Sequence, residues 1–295
     1  MTPPNRANLS GLRLLTVHAH PDDESSKGAA TLVKYSRAGA DVLVCTMTGG
    51  ERGSVLNPSL DRPEVWAELP ARRRAEMARA REILGVRQRF LGFVDSGLVT
   101  AGAVPPDSFA AQPMDVATRP LVEAVREFRP HVMITYDENG GYPHPDHLQA
   151  NRVAVAAFLA AGDPSRYHDC GPVWSPQKLY YTCAFNRDYF EAIHRAMVDA
   201  GLDSPAGEVL AGWPEEWPTW EVTTRVECAE YFPIRRAALL AHETQVNPDG
   251  PELSCPLGLE MQVWPTEDYH LVSSAVPTDL PETDLFAGVT PDGGA

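Results

Sequence analysis

The sequence has no apolar run long enough to cross a membrane and no recognisable leader for secretion. None of its 295 residues lie in a stretch approaching the roughly 18 apolar residues that a transmembrane helix needs. The apolar stretch near the N-terminus is shorter than that of a signal peptide, and no small-residue cleavage site follows it. We therefore expect a cytoplasmic protein with no membrane partner.

Paired cysteines and an excess of positive charge are also missing. The five cysteines are scattered and contain no C-x-x-C pair, a pattern typical of reduced cytoplasmic thiols rather than of disulfides or a structural zinc site. The formal net charge is −15, from 25 basic and 40 acidic residues. Because nucleic acids attract basic surfaces, this charge argues against nucleic acid as a partner.

Short apolar segments alternate with segments of helical spacing along the first half of the chain. This alternation predicts βαβ units, and hence a Rossmann-like α/β fold with a mainly parallel sheet and helices on both faces. We expect residues 1–170 to form the Rossmann-like domain, and residues 171–295 to form a smaller C-terminal lobe that ends in a loosely attached tail. The predicted strands are 12–17, 41–47, 89–93, 132–136 and 178–183, and the predicted helices are 25–38, 68–84, 116–128, 146–161 and 188–200.

A short motif occurs twice, each time just after a predicted parallel strand. The first copy is His20-Pro21-Asp22-Asp23 and the second is His144-Pro145-Asp146-His147. The carboxyl ends of parallel strands meet at one edge of an open sheet, where ligands bind. We therefore expect the two motifs to lie at a common functional site.

The outer positions of the two motifs offer four potential metal ligands, namely His20, Asp23, His144 and His147. Imidazole and carboxylate without thiolate suit Zn²⁺, with Fe²⁺ or Co²⁺ as alternatives. A catalytic zinc site keeps three protein ligands and leaves one position for water. One outer residue and one inner aspartate would then be free for proton transfer, an arrangement that favours hydrolysis of an amide.

A structural interpretation competes with the metal site. Asp23 and Asp146 could instead cap the helices that follow them, as aspartate commonly does. Two copies of one motif at one sheet edge favour the metal site. Other catalytic signatures are missing from the sequence: it contains no G-x-S-x-G, P-loop, G-x-G-x-x-G or H-E-x-x-H, and His242-Glu243 lacks the second histidine of the last.

Several longer segments resemble the LmbE-like family of zinc-dependent N-deacetylases. The resemblance rests on HAHPDDE (18–24), TGGERG (48–53) and TYDENGGYPHPDH (135–147), and it resumes at AHETQ (241–245). It implies a hydrolase with one zinc ion per chain, held by His20, Asp23 and His147, with Fe²⁺ as an alternative. The C-terminal lobe would complete the substrate pocket.

The resemblance also implies roles for residues beside the metal. Asp22 would be the general base, and His144 would stabilise the oxyanion with Asp146 as its partner and Tyr142 assisting. Four further residues fall where we expect contact with substrate, namely Lys27, Glu51, Arg73 and Asp95.

Within the family, SSKG (25–28), GERGSVLNP (51–58) and LGFVDSGL (91–98) are most similar to the branch that cleaves mycothiol S-conjugates. This similarity implies a small-molecule thiol conjugate as substrate, cut between glucosaminyl-inositol and N-acetylcysteine in thiol-based detoxification. The alternatives are deacetylation of an amino-sugar inositol, an amidase of a natural-product pathway, and a sugar-binding protein without catalysis. Asp22 and His144 argue against the last, because a binding protein needs neither a base nor an oxyanion partner.

Overall fold

The computed structural model describes residues 8–99, 102–215 and 217–291. The strands within these ranges are β1 Arg13–His18, β2 Asp41–Thr48, β3 Arg87–Phe93, β4 Val132–Thr135, β5 Lys178–Thr182, β6 Thr224–Glu227 and β7 Thr266–Ser274. They form one sheet in the order β3-β2-β1-β4-β5-β7-β6. The first five strands in this order are parallel, β7 pairs antiparallel with β5, and β6 pairs antiparallel with β7.

The helices connect and cover these strands. Those in the described ranges are α1 Asp23–Ser26, α2 Ala29–Arg37, α3 Pro63–Leu84, α4 Met114–Phe128, α5 Pro145–Ala160, α6 Arg187–Asp199, α7 Ala206–Ala211, α8 Phe232–Leu240 and α9 Leu257–Val263. In the part of the chain that the structure describes, no helix combines the length and apolarity that crossing a membrane requires.

Alternate strand residues pack against helices on opposite faces of the sheet, as strand geometry requires. Leu14 belongs to a buried cluster with residues of α2, α3 and α8. Its neighbour Leu15 belongs to a second cluster with residues of α4 and α5. The predicted Rossmann-like α/β fold, with helices on both faces of a mainly parallel sheet, is confirmed.

The predicted helix at 25–38 is wrong, because the chain forms two helices there. Lys27 and Gly28 separate α1 from α2, and Gly28 has a φ of 101°. A Cβ at this position would lie 2.9 Å from the Tyr269 hydroxyl. The left-handed backbone that glycine permits therefore turns the chain sharply after the first motif.

The C-terminal tail is not loosely attached, which corrects the expectation from its composition. Leu285 and Phe286 are buried in the core beside α2. Glu282 accepts hydrogen bonds from Lys178 and Tyr180, both in the central sheet, at 2.5 and 2.7 Å. Up to residue 291, where the described part of the chain ends, the tail follows an irregular but packed course.

Strands from both sides of residue 170 lie in the same sheet, since β5 pairs with β4. The division into a domain at 1–170 and a lobe at 171–295 stays a prediction. The topology has one switch point, between β1 and β4, where successive connections leave in opposite directions along the sheet. Ligands of open α/β sheets bind at such a point. The first His-Pro-Asp motif begins two residues after β1, and the second lies between the loop that follows β4 and the start of α5.

Candidate metal centre and active site

The two motifs meet at the carboxyl ends of β1 and β4. His20 lies in the connection from β1 to α1, Asp23 is the first residue of α1, and His144 and His147 lie at the start of α5. All four side chains are buried. The structure therefore brings together, as predicted, residues more than a hundred positions apart in the chain.

Three donor atoms form a nearly equilateral triangle. His20 Nδ1 lies 3.3 Å from His147 Nε2 and 3.5 Å from Asp23 Oδ2, and the latter two atoms are 3.4 Å apart. Tetrahedral zinc with ligand bonds of 2.0–2.1 Å separates its donor atoms by about 3.3 to 3.4 Å. The donor set and its spacing thus fit one face of a zinc tetrahedron. His144 also comes close enough to His20 and His147 to form an alternative group of three.

The second nitrogen of each imidazole is fixed by a hydrogen bond. His147 Nδ1 lies 2.9 Å from the carbonyl oxygen of Gly140, to which it can donate. His20 Nε2 lies 3.3 Å from both Asp146 Oδ2 and Asp95 Oδ1. These partners select the tautomers that leave His147 Nε2 and His20 Nδ1 free to bind a metal, a common arrangement around metal-binding histidines.

Asp23 is held as an anion in spite of its burial. Burial raises the pKa of this carboxyl, but Lys27 and His147 hold it well below its usual range. Lys27 Nζ donates to Oδ1 at 2.6 Å, and the Tyr136 hydroxyl donates to Oδ2 at 2.7 Å. Oδ2, the oxygen of the donor triangle, also accepts the backbone N–H of His20 at 3.0 Å. The carboxylate is thereby oriented toward both histidines.

Asp22 has a strained backbone and a partly open side chain. Its φ is 109°, in the left-handed region that non-glycine residues rarely adopt, and 26% of its side chain is exposed. Burial raises the pKa of its carboxyl, while Arg73, whose Nη2 lies 3.5 Å from Oδ1, opposes that rise. A carboxylate beside the metal triangle with a raised pKa is suited to accept a proton.

His144 is neutral and has a defined tautomer. It is the N-cap of α5, where Nδ1 accepts the backbone N–H of Asp146 at 3.1 Å. Burial and the neighbouring His20 and His147 lower its pKa to about 4. Because Nδ1 accepts a hydrogen bond, the single proton of the neutral ring is on Nε2, which makes that nitrogen a hydrogen-bond donor.

The Asp146 carboxylate is engaged elsewhere than the sequence predicts. The resemblance implies a pair with His144, but Oδ2 contacts His20 and accepts the N–H of Ser96 at 2.8 Å. Oδ1 accepts the N–H of Ala110 at 3.0 Å. Asp146 therefore joins the loops after β3 to the imidazole of His20, and it reaches His144 only through its backbone.

Tyr142 lies on the loop between β4 and α5, beside the histidines. Its ring centroid is 4.7 Å from that of His147 and 6.3 Å from that of His144. The loop turns at Gly140, with a φ of 71°, and a Cβ there would lie 2.7 Å from the His147 Cβ. Glycine thus permits the loop to approach His147 closely enough to place the tyrosine at the centre.

The four residues expected to contact substrate are mostly engaged within the protein. Lys27 pairs with Asp23, and Arg73 is 3% exposed, donating to the carbonyl oxygens of Pro21 and Gly50. Asp95 is 1% exposed; its carboxylate contacts His20 and accepts backbone N–H groups of Arg52 and Gly97. Glu51 keeps 23% of its side chain exposed. In this structure Arg73 and Asp95 support the two loops, and Glu51 is the most open of the four.

Sequence reasoning missed a buried pair that supports the first motif. Glu24 and His242 are both fully buried and lie 2.8 Å apart, and Glu24 also accepts the backbone N–H of Asp22 at 3.0 Å. Tyr136, assigned only to a strand, stacks on His147 with ring centroids 4.5 Å apart. Glu24 lies in HPDDE and His242 in AHETQ, two segments that the family resemblance already includes. Because they are 218 positions apart, the sequence does not indicate that the two side chains meet.

Comparison with known proteins identifies the family. The model of the GlcNAc-PI de-N-acetylase family matches residues 15–158. The chain is 51% identical over 285 residues to mycothiol S-conjugate amidase of Streptomyces coelicolor, covering 94% of this chain and 97% of that protein. It is 40% identical to 1D-myo-inositol 2-acetamido-2-deoxy-alpha-D-glucopyranoside deacetylase of Geodermatophilus obscurus, covering 94% of this chain and 98% of that protein.

Solved structures share the fold at low sequence identity. N,N'-diacetylchitobiose deacetylase from Pyrococcus horikoshii has a TM-score of 0.61 at 18% identity, covering 95% of this chain and 87% of that one. The conserved protein TT1542 from Thermus thermophilus has a TM-score of 0.58 at 24% identity, covering 90% and 97%. These likenesses show the shared fold, and the sequence matches confirm the resemblance stated above: the chain belongs to the GlcNAc-PI de-N-acetylase (LmbE-like) family.

Proposed function

We propose that this protein is a zinc-dependent amidase that cleaves mycothiol S-conjugates. The observation that carries the proposal is the triangle formed by His20 Nδ1, Asp23 Oδ2 and His147 Nε2, with Asp22 and His144 beside it. The substrate would be a small-molecule thiol conjugate. Its cleavage would yield an N-acetylcysteine S-conjugate and glucosaminyl-inositol.

The donor set suits zinc better than harder cations. Two imidazoles and one carboxylate are typical of catalytic zinc, and no thiolate takes part. Bound there, zinc would supply an acidified water and polarise the scissile carbonyl. Fe²⁺ is the alternative metal for the same ligands.

Asp22 is the proposed general base. Its side chain is the carboxylate beside the triangle that remains partly exposed, and burial raises its pKa. It would take a proton from the attacking water and return it to the nitrogen of the leaving amine. Arg73, 3.5 Å from Oδ1, holds the carboxylate in place through the same loop that presents it.

His144 is the proposed stabiliser of the developing oxyanion. Its ring centroid lies 4.7 Å from that of His20. Because Nδ1 caps the helix, the other ring nitrogen, Nε2, carries the proton and can donate it in a hydrogen bond. A neutral imidazole can donate this hydrogen bond without releasing its proton, which suits a role in stabilising charge. Tyr142, beside His147 and His144, would add a second donor through its hydroxyl.

The amidase reaction is preferred to deacetylation because of the similarity to the amidase relative. The identity to that protein exceeds the identity to the deacetylase relative, at equal coverage of this chain. Deacetylation of N-acetylglucosaminyl-inositol is the second candidate, since it needs the same metal and base. The two reactions differ in the acyl group that the enzyme must accommodate.

The decisive experiment compares both substrates with the zinc-loaded protein. We would measure kcat/KM for a mycothiol S-conjugate and for N-acetylglucosaminyl-inositol, quantifying the product amine. A clear preference for the conjugate supports the proposal, and a preference for the acetyl compound assigns the chain to the deacetylase reaction. Cleavage of neither compound by protein with a full complement of zinc refutes both.

The assignment of Asp22 is tested by Asp22→Asn. We expect this variant to keep its zinc and to lose about 100- to 10,000-fold in kcat, the usual contribution of a general base. Asp169→Asn is the matched control, because that carboxylate is 57% exposed in a surface pair with Arg119. Unchanged turnover by Asp22→Asn with zinc bound would remove Asp22 from the mechanism.

A further inference from the structure

A cavity of about 490 Å³ lies beside the metal centre, where β5 ends and β7 begins. Its wall includes Lys27 and Gly28 at the end nearest the metal ligands. Farther in, the lining side chains are largely apolar, including Phe190 and Ile193 of α6 and Val209 of α7. Its volume falls within the range of about 300–1,000 Å³ typical of small-molecule sites.

Two sets of contacts connect the cavity with the metal centre. Lys27, on the cavity wall, donates to Asp23 at 2.6 Å. Aromatic rings form the second connection. The centroids of His147 and Tyr142 are 4.7 Å apart, those of Tyr142 and Phe185 are 6.0 Å apart, and Phe185 itself lines the cavity. A substrate centred on the metal ligands could therefore extend into the cavity without leaving the site.

Most of the charged side chains in the wall form ion pairs, either within the wall or with a residue just outside it. Arg235 contacts Glu260 at 2.5 Å and Glu267 at 3.6 Å. Asp268 pairs with Arg225 at 2.9 Å. Glu252, an exposed acid of the lining, has no ion-pair partner among the described residues. Because most of the wall charges are paired and the remaining one is negative, the cavity favours an uncharged, apolar group over an anion.

The opposite side of the metal centre has a different character. There, the loop after β2 carries Glu51, 23% exposed and 3.8 Å from Arg74, which is 60% exposed. Arg73 joins this loop to the first motif through the carbonyl oxygens of Gly50 and Pro21. The metal centre is thus flanked by polar groups at β2 and by an apolar cavity at β5 and β7.

We propose that the cavity binds the group attached to the sulfur of the thiol conjugate, and that it favours uncharged aromatic substituents. This inference rests on the proposed function, in which the scissile amide has a polyol on one side and the S-substituted cysteine on the other. Hydroxyl groups need hydrogen-bond partners, which the polar side offers, and an apolar substituent gains by leaving water. The cavity therefore determines which conjugates are cut efficiently.

The proposal is tested with a variant that fills part of the cavity, by measuring how strongly the enzyme prefers a large aromatic S-substituent to a small one. Val209→Trp places a large ring on the wall, and Val198→Trp makes the same change on α6, where the 54% exposed side chain does not line the cavity. The ratio of kcat/KM for S-benzyl over S-methyl mycothiol should be about 10 to 100 in the natural protein. We expect Val209→Trp to lower it about tenfold and Val198→Trp to leave it unchanged.

A binding measurement makes the result independent of turnover. Calorimetric titration with S-benzyl-N-acetylcysteine and S-methyl-N-acetylcysteine should show the same preference in the natural protein, reduced in Val209→Trp only. If conjugates are cleaved without a benzyl preference, or if both variants change the ratio equally, the cavity assignment is overturned and the proposed function stands. If no conjugate is cleaved, the proposed function fails, and the titrations alone decide whether the cavity selects aromatic thioethers.

Discussion

Glu24 offers a sharp test of how the fold holds the proposed base, Asp22, in position. Asp22 keeps a φ of 109°, a conformation that costs a non-glycine residue about 1–3 kcal/mol. Its backbone N–H is bound by Glu24 Oε2 at 3.0 Å, while Glu24 Oε1 accepts from Ser25 and lies 2.8 Å from His242 Nε2. One buried carboxylate therefore connects the strained residue to the end of α8.

Replacing Glu24 with glutamine removes the charge and one acceptor while keeping the shape. His242, fully buried, would lose the anion that raises its pKa. Removing one partner of a buried pair costs about 3 kcal/mol, because the other charge is left without compensation. We expect Glu24→Gln to lower the free energy of unfolding by about that amount. A displacement of Asp22 by about 1 Å would lower kcat about 100-fold, with little change in KM and with zinc retained.

The contribution of the Glu24–His242 pair to the free energy of unfolding should depend on pH. Burial raises the pKa of Glu24, but His242 and Ser25 lower it to about 2 from an ordinary 4.5. A depressed carboxyl pKa stabilises the fold above the unfolded pKa, and this stability is lost as the pH falls from about 4.5 to 2. The raised pKa of His242 has the opposite sign: its contribution is complete below about 6.5 and is lost as the pH rises through the folded value.

Denaturant unfolding between pH 2 and pH 9, with steady-state kinetics at neutral pH, tests these expectations. The matched control is Glu243→Gln, since Glu243 is 60% exposed and pairs with Arg79 on the surface at 3.3 Å. Its loss should cost less than about 1 kcal/mol. If Glu24→Gln unfolds at the same denaturant concentration as the control and keeps its kcat, Glu24 does not position Asp22.

Two further predictions concern the scaffold, and denaturant unfolding measures both. Lys178→Met should destabilise the protein by about 3–5 kcal/mol, because Glu282 would remain buried without its 2.5 Å partner; adding Glu282→Leu should recover more than half, and no recovery would contradict the pair's role. Gly28→Ala should cost about 1–3 kcal/mol, since the φ is 101° and the new Cβ would lie 2.9 Å from a tyrosine hydroxyl. The control is Gly258→Ala, where a new Cβ would have nothing within 4 Å. This variant should be neutral or stabilised by up to about 1 kcal/mol. Equal changes in the free energy of unfolding for the two variants would contradict the backbone strain at Gly28.

The convergence of the two motifs was predictable because each motif is contiguous and follows a strand. Once β1 and β4 are parallel neighbours, geometry alone brings His20 and Asp23 to His147. Sequence position therefore determines spatial position for these residues. The same reasoning predicted the helices on both faces, since strand alternation depends only on local sequence.

Contacts made by irregular segments could not be predicted in the same way. Asp146 is held by backbone N–H groups of Ser96 and Ala110, which carry no side-chain signature. Glu24 meets His242 across 218 positions, through the packing of α8 against α1 and α3. Such contacts depend on how loops and distant helices pack against the core, which no local sequence pattern specifies.

The expectation that the C-terminal tail is loosely attached was wrong for a different reason. Its composition, rich in proline and glycine, indicates irregular backbone but says nothing of attachment, because irregular segments can bury side chains as well as helices do. Phe286 packs its ring edge on Tyr35 with centroids 5.1 Å apart, and the Tyr35 hydroxyl donates to Asp284 at 2.8 Å.

The unequal sides of the metal centre follow from the same topology. Parallel strands β2 and β3 end in loops that contribute charged side chains, whereas the sheet beyond β5 continues with antiparallel β7 and β6. An antiparallel strand runs back past the site, so that its start at Thr266 and the end of β5 at Thr182 form one wall, which α6 and α7 cover with apolar side chains. The change of strand direction thereby creates a largely apolar cavity on one side of a centre whose other side stays polar. We infer that the chemistry depends on the two motifs and the choice of substrate on this asymmetry.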